Sequence, residues 1–194
     1  MARKSDFKLR LRIADEAAKI IVEEDVADYQ LAKQKACRRL GLAASTSLPR
    51  NTEIEQAVIE RQRLFAPVQH TKVLENLRQL ALSVMRFLET FNPHLVGSVL
   101  KGTANHYSVI QLHLFNDDQK SVAIFLLDKQ VSYQSIERRQ SKESPNGVPG
   151  FSFDWQGVPV EVLVFPLDGL RTAPRSPIDG KAIRRASIQK VSDL

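Results

Sequence analysis

Residues 97–112 read Gly-Ser-Val-Leu-Lys-Gly-Thr-Ala-Asn-His-Tyr-Ser-Val-Ile-Gln-Leu, and the reading of the fold turns on this stretch. Gly97 and Gly102 permit tight turns and let backbone amides come close to a ligand. From Ser108 to Phe115 the side chains alternate. Ile110, Leu112 and Leu114 fall on one face, and Val109, Gln111, His113 and Phe115 on the other. A period of two marks a strand, whereas the apolar stripes before residue 93 have a helical period, with Leu42–Arg50 as a connector among them.

Upstream, Leu9, Leu11, Ile13, Ala17, Ile20 and Ile21 predict a first amphipathic helix. Asp28 is placed to cap a second, which runs to Leu40 and ends at Gly41. Asn51-Thr52 opens a third; Thr52 and Glu55 have capping-box spacing, and Ile54, Val58, Ile59 and Phe65 form its apolar side. A fourth, from about Thr71 to Thr90, carries Leu74, Leu77, Ala81, Val84, Met85 and Leu88 at helical spacing, and Asn92-Pro93 stops it.

Downstream, His94–Val96 reads as a short strand, Asn116-Asp117-Asp118 as a turn and Ser121–Leu127 as an apolar strand. Residues 140–150, with their Pro, Asn and Gly, read as a loop. Phe151–Trp155 and Val158–Phe165 around Gln156-Gly157 read as a hairpin, and a last helix is expected at about residues 180–191. Helices first and a mixed or antiparallel sheet after them make an α+β protein. The expected parts are a helical region (1–66), an α+β domain (67–170) and a basic C-terminal tail (171–194) with a short helix.

The chain has 194 residues, a net charge of +6 and a single cysteine, Cys37, which excludes an internal disulfide and a multi-cysteine zinc site. No apolar run approaches the ~20 residues of a membrane span. The N-terminus has no apolar segment of secretory type, so a cytoplasmic location is expected. The last 24 residues hold six basic side chains and two acidic ones. Arg171, Arg175, Lys181, Arg184 and Arg185 therefore raise nucleic acid as a partner, against the plainer reading of a solvated basic helix. No interleaving of aromatic and basic residues of the single-strand-binding kind accompanies them.

The run Gly-Ser, three residues, Gly, five residues, Ser and an alternating strand resembles the motif of the DNA-polymerase-beta-like nucleotidyltransferase superfamily. Gly97, Ser98, Gly102, Ser108, Ile110 and Leu112 match it, within roughly residues 73–165. The resemblance implies a phosphate-holding loop (Gly97, Ser98, Lys101, Gly102, Ser108) and Mg²⁺ with a nucleoside triphosphate as cofactor and ligand. In that family two strand aspartates, two residues apart, hold the metal, and a third acid on a neighbouring strand completes the site. Here the two positions are Val109 and Gln111. Valine cannot ligate a metal, and an amide oxygen is a weak ligand for a hard cation.

Glu161, in Val160-Glu161-Val162, is the candidate third acid, and His113 shares a strand face with Gln111. The candidate catalytic set is therefore Glu161, Gln111 and His113, with no dedicated metal site. Each also has a plainer reading: Glu161 as a half-exposed acid paired with a base, His113 as a buried sheet residue, and the glycines as simple turn formers. Asp117 and Asp118 lie in a turn beyond the strand, some distance from the motif. The resemblance thus implies a nucleotidyltransferase fold whose catalysis has degenerated, with a nucleotide-binding loop kept for binding or regulation. An active enzyme with a rearranged metal site and a nucleic-acid- or protein-binding module are the alternatives.

Overall fold

Three helices close the first hydrophobic core. α1 (Ala2–Glu23), α2 (Tyr29–Arg39) and α3 (Asn51–Phe65) bring Ile13, Ala17, Ile20, Ala32, Ala36 and Ile54 out of solvent completely. Burial of each large aliphatic side chain here is worth about 1.5–3 kcal/mol. The computed structural model describes residues 2–24, 26, 28–42, 47–65, 67–138, 147–176 and 179–194. The chain divides into two compact units, Met1–Thr71 and Lys72–Leu194, each with its own core.

Asp28 caps α2 as expected: its carboxylate accepts the N–H groups of Gln30 (2.6 Å) and Leu31 (3.1 Å). At α3 the reach-back is made by a different acid. The Glu53 carboxylate accepts the N–H of Arg50 at 2.6 Å, so the capping pair is Arg50/Glu53 and the cap sits two residues before Thr52. Ile54 and Val58 are buried as predicted, Ile59 is exposed, and the Phe65 side chain lies outside the described residues.

The second unit is a five-stranded mixed sheet with helices on its apolar face. α4 (Pro67–Phe87) leads through a short 3₁₀ turn (Glu89–Phe91) into β1 (His94–Val96), and α5 (Gly97–Lys101) follows directly. Then come β2 (Ile110–Phe115), α6 (Gln119–Asp128), β3 (Tyr133–Arg138), β4 (Val148–Trp155) and β5 (Val158–Phe165). The spatial order is β1-β2-β5-β4-β3; β2 and β5 run parallel and every other neighbour pair antiparallel. Ile110, Leu112, Leu114, Val160, Val162, Phe151 and Phe153 share a core with Leu77, Ala81, Met85 and Leu88 of α4 and Val122 and Leu126 of α6. Trp155, at the end of β4, donates its indole N–H to Ser83 Oγ at 2.7 Å and packs on Phe87 with ring centroids 4.8 Å apart.

The fold is α+β, and several elements differ from the sequence reading. Gly97–Lys101, expected as a tight turn, is the short helix α5. Ser121–Leu127 is the body of α6, not a strand. Asp118 caps it by accepting the Lys120 N–H at 3.0 Å, and Val122 and Leu126, one turn apart, are its buried side. The apolar run looked like a strand because Ile124 and Leu127 are also apolar, yet both are exposed, at 56% and 62%. β3 was not foreseen, because Tyr133–Arg138 is an edge strand of half-buried and exposed residues. The expected loop lies partly outside the described residues, and its end, Val148–Gly150, belongs to β4. The last helix, α7 (Ile188–Ser192), is shorter than expected, and the tail belongs to the second unit.

Candidate functional site

On the face of the sheet away from α4, the register sets Val96, Gln111 and Glu161 in one row across β1, β2 and β5. Beside it His113 pairs with Leu163, and the next position on β4 is Gly150, which has no side chain. These residues floor a cleft of about 330 Å³, the size of a small-ligand site. Gly97 and Lys101 stand at one end. Ser176, Asp179, Ala182, Ile183 and Arg184, from the chain after β5, supply a second wall.

Gly97 has φ +74°, and a Cβ there would sit 2.2 Å from Oε1 of Gln111. The Gln111 amide therefore lies directly against the turn, whose positive φ favours glycine. Glu161 is engaged by Arg138, which reaches it from β3. On β4, between these two strands, Ser152 lies opposite Glu161 and Gly150 opposite Leu163 on this face. Among the described residues the cleft holds three cations, Lys101, Arg138 and Arg184, and two carboxylates, Glu161 and Asp179. Asp179 is held below the usual carboxylate range, chiefly by the backbone N–H of Lys181, which it accepts at 3.1 Å.

His113 is 3% exposed, and burial followed by the nearby Arg185 guanidinium depresses its pKa to about 3. The neutral ring accepts a hydrogen bond at Nδ1 from Arg185 Nε (3.1 Å), and Arg185 Nη1 donates to the Gly169 carbonyl (2.7 Å). The guanidinium also lies over the Phe115 and Phe165 rings, 4.8 and 5.3 Å from their centroids. His113 is thus part of a buried contact. Arg185, grouped in sequence with the basic residues open to nucleic acid, faces inward.

The motif residues separate. Gly97, Lys101, Gln111, His113 and Glu161 line the cleft. Gly102 has φ +82° and ends α5, and a Cβ there would face Leu74 and Arg78 of α4. Ser108 closes a local turn: Oγ accepts the Asn105 N–H (2.8 Å) and bonds Asn105 Oδ1 (3.0 Å). The Ser98 carbonyl accepts the N–H groups of Gly102 and Thr103. Asp117 lies past the other end of β2, where it accepts the Leu167 N–H at 2.9 Å.

This donor set does not fit Mg²⁺. Val109 offers no ligand, Gln111 offers a neutral oxygen, and Glu161 already carries a guanidinium. Among the described residues no three His, Cys, Asp or Glu side chains gather as a metal site. None of their helices is long and apolar enough to cross a membrane. Sequence reasoning missed Arg138 and the wall formed by Ser176, Asp179, Ala182, Ile183 and Arg184. Arg138 lies on the strand that was not foreseen, and the tail's role depends on pairings far apart in the chain.

No known protein family, curated protein or solved structure matches the chain.

Proposed function

We propose that the second unit binds a small phosphate-bearing ligand, a nucleotide, in the cleft over Gln111 and Glu161. In this reading it works without the two-metal transfer of the superfamily it resembles. The observation that carries this reading is the convergence of Lys101, Arg138 and Arg184 on one cleft beside the Gly97 turn. Cations focused on a concave, partly apolar surface favour an anion with an apolar or planar body. Val96, Leu163 and Ile183 supply the apolar part. The same three cations oppose a divalent metal, whose site needs an excess of oxygen anions. Arg184 also stands among the basic residues through which nucleic acid was considered, but the cleft's volume suits one mononucleotide.

The test is calorimetric titration of the purified chain with ATP, GTP, CTP, UTP and their monophosphates, each with and without Mg²⁺. Binding that needs no Mg²⁺ and weakens in Lys101→Ala and Arg184→Ala is expected. Absence of binding to all eight would overturn the reading. Transfer of label from an NTP to an acceptor, lost in Glu161→Gln, would favour an active enzyme instead. Steeply salt-dependent RNA or DNA binding that leaves the cleft variants unaffected would favour the basic surface.

A further inference from the structure

The cleft is made by two pieces of chain that meet late in the sequence. Its floor is the sheet, and its second wall is the segment after β5. In that segment Ser176 N–H donates to the Lys181 carbonyl (2.7 Å), Ile183 N–H to the Pro174 carbonyl (2.8 Å), and Arg175 pairs with Ala182. Backbone pairing and an arginine tie this segment to the sheet. Leu95 and Ala186 exchange backbone hydrogen bonds of 2.8 and 3.0 Å, which extends the sheet beyond β1. Immediately before Ala186, Arg185 enters the niche formed by His113, Phe115, Phe165 and the Gly169 carbonyl. Its neighbour Arg184 lines the cleft.

We propose that Arg185 is the positioning residue of this site: it seats the C-terminal segment so that Ile183 and Arg184 complete the cleft, and ligand occupancy and seating of the segment are coupled. The coupling rests on the nucleotide reading above, whereas the seating rests on the contacts alone. The two adjacent arginines, one basic patch in the sequence, have opposite tasks. Arg184 meets the ligand and Arg185 meets only protein. A ligand that touches both Lys101 on the sheet side and Arg184 on the segment side prefers the seated form. Apparent affinity then falls with the seated fraction, and occupancy raises that fraction in return.

The experiment uses the full chain and its Arg185→Ala, Arg185→Lys and Arg184→Ala variants, with retention of Trp155 fluorescence as the check of folding. Hydrogen exchange is followed at the amides of Leu95 and Ala186, and binding of labelled ATP and AMP by equilibrium dialysis. Arg185→Ala is expected to speed exchange at both amides and to weaken binding about tenfold or more, with saturating nucleotide restoring protection. Arg185→Lys, which keeps the charge but loses the planar fork, is expected to fall between. Arg184→Ala is expected to weaken binding and leave exchange unchanged.

Unchanged exchange in Arg185→Ala overturns the seating role, and faster exchange with wild-type affinity overturns the coupling. Wild-type protein that binds neither nucleotide defeats the ligand reading and the coupling with it. The exchange measurements then still decide whether Arg185 seats the segment, so the two failures are distinguishable.

Discussion

Arg185 donates from Nε to Nδ1 of His113 across 3.1 Å, joining positions 72 residues apart in the chain. The bond fixes the protonation state of the ring, because a nitrogen that accepts from a guanidinium cannot carry a proton of its own. Charging His113 would place two cations side by side in a buried niche.

Stability is therefore expected to depend on pH through His113. Its pKa is about 3 in the folded chain, against an ordinary 6.5. Between these values the unfolded chain binds more protons than the folded one. The contribution of the neutral ring is present above pH 6.5 and is lost as pH falls towards 3, by up to about 1.4 kcal/mol per pH unit. Urea unfolding followed at Trp155 at several pH values checks this. His113→Gln should show a shallower fall, and an identical profile would exclude His113 as the source.

Gly97 and Gly150 should respond differently to alanine. At Gly97 the added Cβ meets only the end of the flexible Gln111 side chain, so the φ of +74° accounts for most of a cost of about 1–2 kcal/mol. Adding Gln111→Ala should recover little of it. At Gly150 the Cβ would lie 2.1 Å from the Val162 backbone carbonyl, which cannot move without parting β4 from β5. Gly150→Ala is expected to cost more, about 3 kcal/mol. Chemical denaturation of both variants and the double mutant gives the comparison, and equal costs would refute it.

Glu161→Gln should strengthen nucleotide binding. Arg138, 55% exposed at its side chain, gains little stability from its partner, so unfolding should shift by less than about 1 kcal/mol. Releasing Arg138 leaves Lys101, Arg138 and Arg184 facing Asp179 among the described residues of the cleft. Calorimetry of the variant decides, and weaker binding would point to a direct role of Glu161 on the ligand.

Asp118→Ala should cost about 1 kcal/mol, through loss of the cap on α6. A thermal melt read at Trp155 tests it, and an unchanged midpoint would mean that packing of Val122 and Leu126 alone sets the helix.

Where periodicity and burial agree, the sequence was legible. Ile110, Leu112 and Leu114 face the core as their alternation predicts, and Asp28 caps α2. α6 was misread because its run of Val, Ile, Phe and Leu lacks a polar face, and the capping role of Asp118 was hidden inside what looked like a turn. Thr52 and Glu55 have the right spacing, but the helix begins at Asn51, so Arg50 is the cap and Glu53 the acid that reaches back to it. Gln111 and Glu161 could be named as candidates, yet their adjacency depends on a parallel pairing between strands separated by α6, β3 and β4. Arg184 and Arg185 look alike in sequence, and only the Leu95–Ala186 pairing separates them.

Trp155, bonded to Ser83 and packed on Phe87, is the chain's single tryptophan and lies in the second unit. Selective excitation of the indole therefore reports the melting of that unit, while far-ultraviolet circular dichroism sums the helices of both. The molecule carries its own spectroscopic divider: non-superimposable transitions from the two signals would give each unit a separate unfolding free energy without cutting the chain.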